Sequence, residues 1–305
     1  MTQHTRGLLA GLTAAAIWGG LYVISKVVLD VLPPFVLLTL RLLLGIAALG
    51  VALRLRGGGL GIARKDLPEV LALGLLGYGV SLGLQFVGTR LSTAANGAVI
   101  TSATPAFVFL FARLILGERV SGRRIAALVV STIGVLAVLD VGAARLAPDL
   151  FWGNLALAGA GITWAWYSVL VRKATRRLDT LPVSLLAFAG GLAIAVPGAA
   201  WELSRAPIGP VSLPTVLGVL YIGLISTAVA AYLWNKAFEL VEAGVASLTF
   251  FAQPVVGALL GVWLLGELAT PGLLLGGALI GLGLWLASRP ERDRAGVKSY
   301  RGKTP

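Results

Sequence analysis

Ten predominantly apolar runs, each about 20 residues long and separated by short clusters of charge, constrain this chain more than any other feature. An α-helix rises 1.5 Å per residue, so a run of that length spans about 30 Å, the thickness of a bilayer's hydrocarbon core. Lipid offers no partner to free backbone N–H and C=O groups, so such runs enter it as helices. The runs lie at Leu8–Leu29, Pro34–Leu53, Val70–Val87, Ala94–Leu116, Ile125–Val141, Leu150–Val171, Pro182–Trp201, Leu213–Asn235, Ala243–Leu265 and Pro271–Ala287. Short loops between them predict an all-α bundle of antiparallel neighbours with little folded mass outside the membrane. Composition agrees: 57% of the residues are hydrophobic and 12% charged, where soluble domains carry about 25% charged residues. Arg6 ahead of the first run resembles the start of a signal peptide, but the apolar stretch continues to Leu29, which predicts an uncleaved first span.

The net charge of +12 invites a nucleic-acid reading, but its distribution does not. With the N-terminus inside, 19 of the 25 basic residues fall in the inner loops and the tails, among them Arg54, Arg56, Arg119, Arg123, Arg172, Arg177 and Lys236. Arg90, Arg145 and Arg205 occupy outer loops, and Lys26, Arg41 and Arg113 lie within spans. This is the positive-inside pattern, and it predicts a multi-pass protein of a bacterial inner membrane with both termini cytoplasmic. The expected partners are lipid and a small solute, with no nucleic acid; the molecule is a monomer or a homodimer.

The halves repeat. Ala-Ile-Trp18-Gly-Gly-Leu-Tyr22 matches Ile-Thr-Trp164-Ala-Trp-Tyr167. A single offset of 149 residues then relates Leu84 to Leu233, Ala94 to Ala243, Pro105 to Pro254, Leu-Gly-Glu118 to Leu-Gly-Glu267 and Gly134 to Gly283. Five spans per half is odd, so the second copy enters the membrane from the opposite side. The loop after Glu118 is basic and the loop after Glu267 is not, as inversion requires. Inverted five-helix repeats around a central cavity are a recurrent transporter architecture. The expected organisation is a first repeat over 1–143, a second over 147–288 and a basic tail over 289–305.

On Ala-Ile-Trp18-Gly, Arg41, the two prolines, the two Leu-Gly-Glu blocks and Tyr232-Leu-Trp234-Asn, the chain resembles the EamA family of the drug/metabolite transporter superfamily over roughly residues 7–288. The resemblance implies ten helices around a cavity lined mainly by spans 1, 3, 4, 6, 8 and 9. It also implies small metabolites as cargo, often exported, with amino acids prominent.

The residues themselves suggest where such a cavity lies. Spans four and nine each carry a mid-span proline, Pro105 and Pro254, which removes a backbone donor and interrupts the helix. Ahead of them Thr101 and Thr104, and in the ninth span Thr249 and Gln253, recur at helical spacing. They either form a polar wall or bond their own backbone at a packing kink. Trp18, Tyr22, Trp164 and Tyr167 supply aromatic surface. Tyr78 and Thr227 are repeat partners, and Gln85, Asn96 and Asn235 add hydrogen-bonding groups. Aromatic rings with a few polar handles suit a small amphipathic or zwitterionic solute. Arg41, about seven residues into its span, either binds an anionic group or snorkels to the outer headgroups.

Other chemistries find less support. With no cysteine and one histidine, His4 in the N-terminal tail, no metal site or cofactor is expected. Gly117-Glu-Arg-Val-Ser-Gly122 resembles a phosphate loop but lacks the Lys-Ser/Thr and follows a membrane helix. A membrane-embedded enzyme or lipid-handling protein needs a buried catalytic constellation, and no catalytic residue is assigned. Glu118 and Glu267 read as turn or helix-start residues. Gly257/Gly261 and Gly272/Gly276 read as small-residue packing pairs.

Overall fold

The computed structural model describes residues 1–139, 147–205, 207–265 and 271–289, apart from a few side chains within helices. Every regular element among them is helical. The first run forms two helices, α1 (Gln3–Gly19) and α2 (Leu21–Leu29), meeting at Gly20. After α3 (Pro34–Leu55) comes a composite rod: α4 (Leu67–Gly74), a π-helical stretch (Leu75–Ser81) and α5 (Leu82–Leu91). Then come α6 (Ala94–Thr101), α7 (Thr104–Leu116) and α8 (Gly122–Val138). The second half holds α9 (Phe151–Thr175), α10 (Thr180–Leu203) and a second composite rod of α11 (Leu213–Leu220), π-helical Tyr221–Val229 and α12 (Ala230–Leu240). It closes with α13 (Ala243–Leu248), a 3₁₀ turn (Thr249–Phe251), α14 (Ala252–Leu265) and α15 (Pro271–Ser288).

Eight helical segments among the described residues are long and apolar enough to cross a membrane. Two of the ten expected spans fall outside that set. The first is interrupted at Gly20, where two adjacent glycines weaken the helix. The fifth keeps its expected 17 residues but lies three residues nearer the N-terminus, since Ser121 caps α8 and the chain turns extended at Leu139, which leaves it short for a full span. The remaining helices start and stop for local reasons. Ser212 accepts a hydrogen bond from Thr215 N at 3.4 Å and caps α11. Gly117 ends α7 in the left-handed conformation at φ 66°, which glycine adopts without strain. Large apolar side chains on the outer surface, Leu114, Trp263 and Leu274 among them, are mostly exposed, as lipid contact requires.

Packing repeats across the halves. α1 packs on α12 and α9 on α5, while α3 pairs with α10 and α8 with α15. At the last contact a Cβ added to Gly134 would lie 2.8 Å from the Gly276 carbonyl oxygen, and one added to Gly283 would lie 2.8 Å from that of Ala127. Gly134 and Gly283, like Ala127 and Gly276, are 149 residues apart. The contact is therefore self-complementary in the repeat register.

The two ends of the bundle differ. At one end, ion pairs tie together the loops and helix termini that follow α3, α7, α9 and α12. Arg56 faces Asp179 at 3.6 Å, Arg177 reaches Asp66 at 2.5 Å and also Glu69, Arg172 binds Glu118 at 2.7 Å, and Arg124 pairs with Glu242. Hydrogen bonds to Asp66 and then to Glu69 raise the pKa of the Arg177 guanidinium. The opposite end is held by uncharged donors and by backbone. Phe35 N and Val36 N donate to Glu202 at 2.8 and 3.2 Å, Gly209 N donates to Val31 O at 3.1 Å, and Asn96 Nδ2 donates to Asn154 Oδ1 at 2.8 Å.

Candidate functional site

A cavity of about 530 Å³, mouth included, opens where both interrupted helices and the first π-helical stretch converge. Eight of the expected residues line it: Trp18, Arg41, Tyr78, Gln85, Thr101, Thr104, Trp164 and Gln253. α1 supplies Trp18, whose Nε1 donates to Ser226 O at 3.0 Å. Its ring centroid lies 5.7 Å from Trp164, 5.4 Å from Trp234 and 6.3 Å from Phe250. The edge-to-face contacts with Trp164 and Phe250, with the tilted contact to Trp234, hold a rigid aromatic wall. Gln253 Nε2 donates to Trp18 O at 3.2 Å and fastens α14 to α1. Ser25, Phe86 and Thr89 line a narrow crevice beside Gln85.

The breaks in the fourth and ninth spans explain why their residues reach the cavity. α6 ends at Thr101, the chain turns at Ser102 and Ala103, and α7 restarts with Pro105 as its second residue. α13 gives way to the 3₁₀ turn, and Pro254 is the third residue of α14. Neither proline can donate to the carbonyl four residues earlier, on Thr101 and Phe250, and both of those residues line the cavity. Thr101 also bonds its own helix, its Oγ1 donating to Gly97 O at 2.6 Å. Gly161 makes room for Thr104, since a Cβ there would stand 3.0 Å from the Thr104 hydroxyl.

Arg41 is 2% exposed and does not reach the surface. Its Nε donates to Thr227 Oγ1 at 2.7 Å, and its guanidinium lies 5.3 Å from the centre of the Phe86 ring. The Thr227 hydroxyl in turn donates to Ile222 O at 2.7 Å, five residues back, the spacing of a π-helix. Arg41 is thus held by the second π-helical stretch while Tyr78 projects into the wall from the first. π-helical turns inside α-helices recur at functional sites.

The remaining expected residues lie elsewhere. Tyr167 and Asn235 are fully buried beneath the cavity. The Tyr167 hydroxyl stands 2.9 Å from both the Tyr78 hydroxyl and Asn235 Oδ1, and Asn235 Nδ2 donates to Ser184 Oγ at 3.0 Å. Trp234 Nε1 donates to Ser168 Oγ at 3.0 Å in the same layer. Thr227 sits behind Arg41 rather than in the wall. Asn96 belongs to a hydrogen-bonded cluster with Ser92 and Asn154, away from the cavity. Thr249 donates to Ala246 O at 2.7 Å and packs on Gly11, where an added Cβ would meet its hydroxyl at 2.4 Å. The Tyr22 side chain and Glu267 lie outside the described residues.

Sequence reasoning did not find Ser81, Ala160, Gly161, Ala231 or Phe250 in the wall. Phe250 carried a signal, since it is the repeat partner of Thr101. Ala160, Gly161 and Ala231 carried none: small residues are common along every span. Below the aromatic layer, Arg172 donates to Phe238 O at 2.6 Å as well as to Glu118 and Val241 O, and Glu118 accepts from Ala243 N at 3.2 Å. This polar floor closes the cavity toward the ion-paired end. Among the described residues no cluster of three His, Cys, Asp or Glu side chains could hold a metal ion.

A model of the EamA-like transporter family matches residues 5–139 and 151–289. The uncharacterised transporter YetK of Bacillus subtilis is 26% identical over 274 residues, covering 88% of this chain and 82% of the relative. The aromatic amino acid exporter YddG of Ancylobacter novellus is 27% identical over 266 residues, covering 85% and 88%. A solved crystal structure superposes with a TM-score of 0.79 at 26% identity, over 92% of this chain and 96% of that one.

Proposed function

We propose, from the premise that the chain belongs to the EamA-like transporter family, that it exports small amphipathic metabolites, amino acids and related solutes among them, by alternating access. The observation that carries this reading is the cavity: aromatic on one side, polar on the other, and floored by buried hydrogen bonds and ion pairs at one end only. A carrier alternates between closing one end and closing the other. The ion-paired end holds Arg56, Arg124, Arg172 and Arg177, so the positive-inside rule makes it the cytoplasmic end, with both termini on that side of a bacterial inner membrane. This conformation is then closed toward the cytoplasm. An aromatic amino acid exporter among the relatives supports cargo of that size.

In this reading α1 and α2 form one broken span and α8 a short one, giving ten helices as two inverted repeats of five. The repeat register supports it. Both composite rods carry a π-helical stretch, both proline-bearing helices break within two residues of equivalent positions, and the α8–α15 contact is self-complementary. Closure at the other end would require the Arg172–Glu118 pair to part, so the pair acts as an inner latch.

The reading is tested by flux. Purified protein in liposomes is loaded with a panel of labelled amino acids, aromatic acids and amines, and counterflow is recorded. Saturable movement of at least one group, reduced by Trp18→Ala, is the expected result. No movement of any solute across the whole panel would sink the proposal.

A further inference from the structure

Among the described residues, no carboxylate pairs with Arg41 or lines the cavity beside it. Its guanidinium is buried at the cavity wall, its Nε bonds Thr227, and its Nη1 has no hydrogen-bond partner. Seven of the nine acidic residues among those described are engaged at the ends of the bundle. Asp66 and Glu69 hold Arg177, Glu118 holds Arg172, Asp179 faces Arg56, Glu239 holds Lys236, Glu242 pairs with Arg124, and Glu202 caps α3. Asp30 sits in a turn and Asp149 in a short 3₁₀ helix, both outside the cavity wall. Among the described residues no aspartate or glutamate lines the cavity. A buried guanidinium without a charged partner is strongly destabilising, so a group of opposite charge bound beside it recovers more than it would at an exposed site.

The rest of the wall meets an apolar body but offers an ammonium no carboxylate. Trp18, Trp164 and Phe250 present rings, and Thr101, Thr104 and Gln253 present uncharged polar groups. A cation–π contact with those rings returns less than the desolvation of a buried ammonium takes. A planar guanidinium, by contrast, meets a carboxylate through two parallel hydrogen bonds.

We propose that this cavity selects a monoanionic organic acid with an apolar or aromatic body, its carboxylate paired with Arg41, in preference to the zwitterionic amino acid of the same skeleton. The inference rests on the transporter reading above and narrows its cargo. Under it, Arg41 is the specificity-determining residue, and deaminated or keto-acid relatives of amino acids are the preferred class.

A matched series of one skeleton isolates the charge: 3-phenylpropanoate, 3-phenylpropanamide, phenylalanine and phenethylamine. Affinity is measured by tryptophan fluorescence on detergent-purified full-length protein, because binding is not confused by passive leak of the protonated acid. The expected order places the anion first, at least about tenfold tighter than phenylalanine, and the amine last. Arg41→Gln is expected to abolish the preference of anion over amide while leaving amide affinity within a few-fold, and Arg41→Lys to retain part of it. If either variant fails to fold, the wild-type order decides alone. Phenylalanine or phenethylamine binding as tightly as the anion overturns the proposal, as does an anion preference that survives in Arg41→Gln. Binding of none of the four by a protein that moves other solutes overturns the anion assignment and leaves the carrier standing. Protection by chloride that the carboxylate cannot displace overturns it in favour of an inorganic counter-ion.

Discussion

The proline-bearing helices of the two halves break within two residues of the same place in the 149-residue register and present different chemistry to the same cavity. Thr101 and Thr104 come from the first, Phe250 and Gln253 stand at the equivalent positions of the second. The composite rods differ in the same way. Tyr78 enters the wall from the first π-helical stretch, whereas its partner Thr227 lies behind the wall and holds Arg41. The backbone is duplicated and the side chains have diverged. Scaffold geometry is shared because both halves must pack against each other and move together. The cavity has no such need, since one solute touches both halves at once and is served better by unlike walls.

The comparison can be pressed hardest at Gly74 and Gly223, which are repeat partners. A Cβ on Gly74 would fall 1.8 Å from the carbonyl oxygen of Ala187, a backbone atom of α10. On Gly223 it would meet only the Leu44 side chain, at 2.5 Å. Gly74→Ala should therefore cost more than about 3 kcal/mol and lower the yield of monodisperse protein, while Gly223→Ala should cost about 1–3 kcal/mol. Thermal unfolding in detergent reads both, and equal losses would break the asymmetry.

Next in size is the inner latch. Glu118 and Arg172 are 9% and 11% exposed, and removal of one partner of such a pair costs about 3–5 kcal/mol. Glu118→Ala should destabilise this conformation and raise the reactivity of a single cysteine placed at Val241, which is buried in it. The chain has no cysteine of its own, so the labelling signal is clean. Unchanged reactivity would mean the pair is not a latch.

Thr227→Val sharpens the contrast between the π-helical partners. It leaves Arg41 Nε without its acceptor, at about 1–3 kcal/mol, and should weaken binding of an anionic ligand by about tenfold. Tyr78→Phe keeps the ring in the wall and should change that affinity by no more than a few-fold. The smallest effect is expected at Thr249→Ala, because that hydroxyl bonds only its own helix and faces Gly11. Transport by this variant should match wild type, and a large loss would show that the ninth span presents a second polar face.

Much of the site was legible before the fold. Trp18, Tyr78, Thr104, Trp164 and Gln253 were marked by aromatic or polar character inside apolar spans, and all five line the cavity. Thr249 and Asn96 bore the same marks and lie elsewhere, because a hydroxyl or carboxamide in an apolar run can satisfy itself on nearby backbone or side chains. Arg41 stayed ambiguous in sequence between ligand binding and snorkelling. Its burial beside Thr227, in a cavity wall that holds no carboxylate among the described residues, is a tertiary fact.

The amino-acid order alone determined that this chain is helical, lies in a membrane and is built twice, since hydrophobic run length, basic loops and a constant offset are one-dimensional signals. Only the tertiary structure decided where helices break into π and 3₁₀ turns, which polar side chains meet, and which end of the cavity is shut. Those outcomes depend on backbone atoms brought within a few ångströms of residues more than a hundred positions away, as Gly74 is to Ala187 and Trp18 to Ser226. No local pattern in the chain encodes such distances.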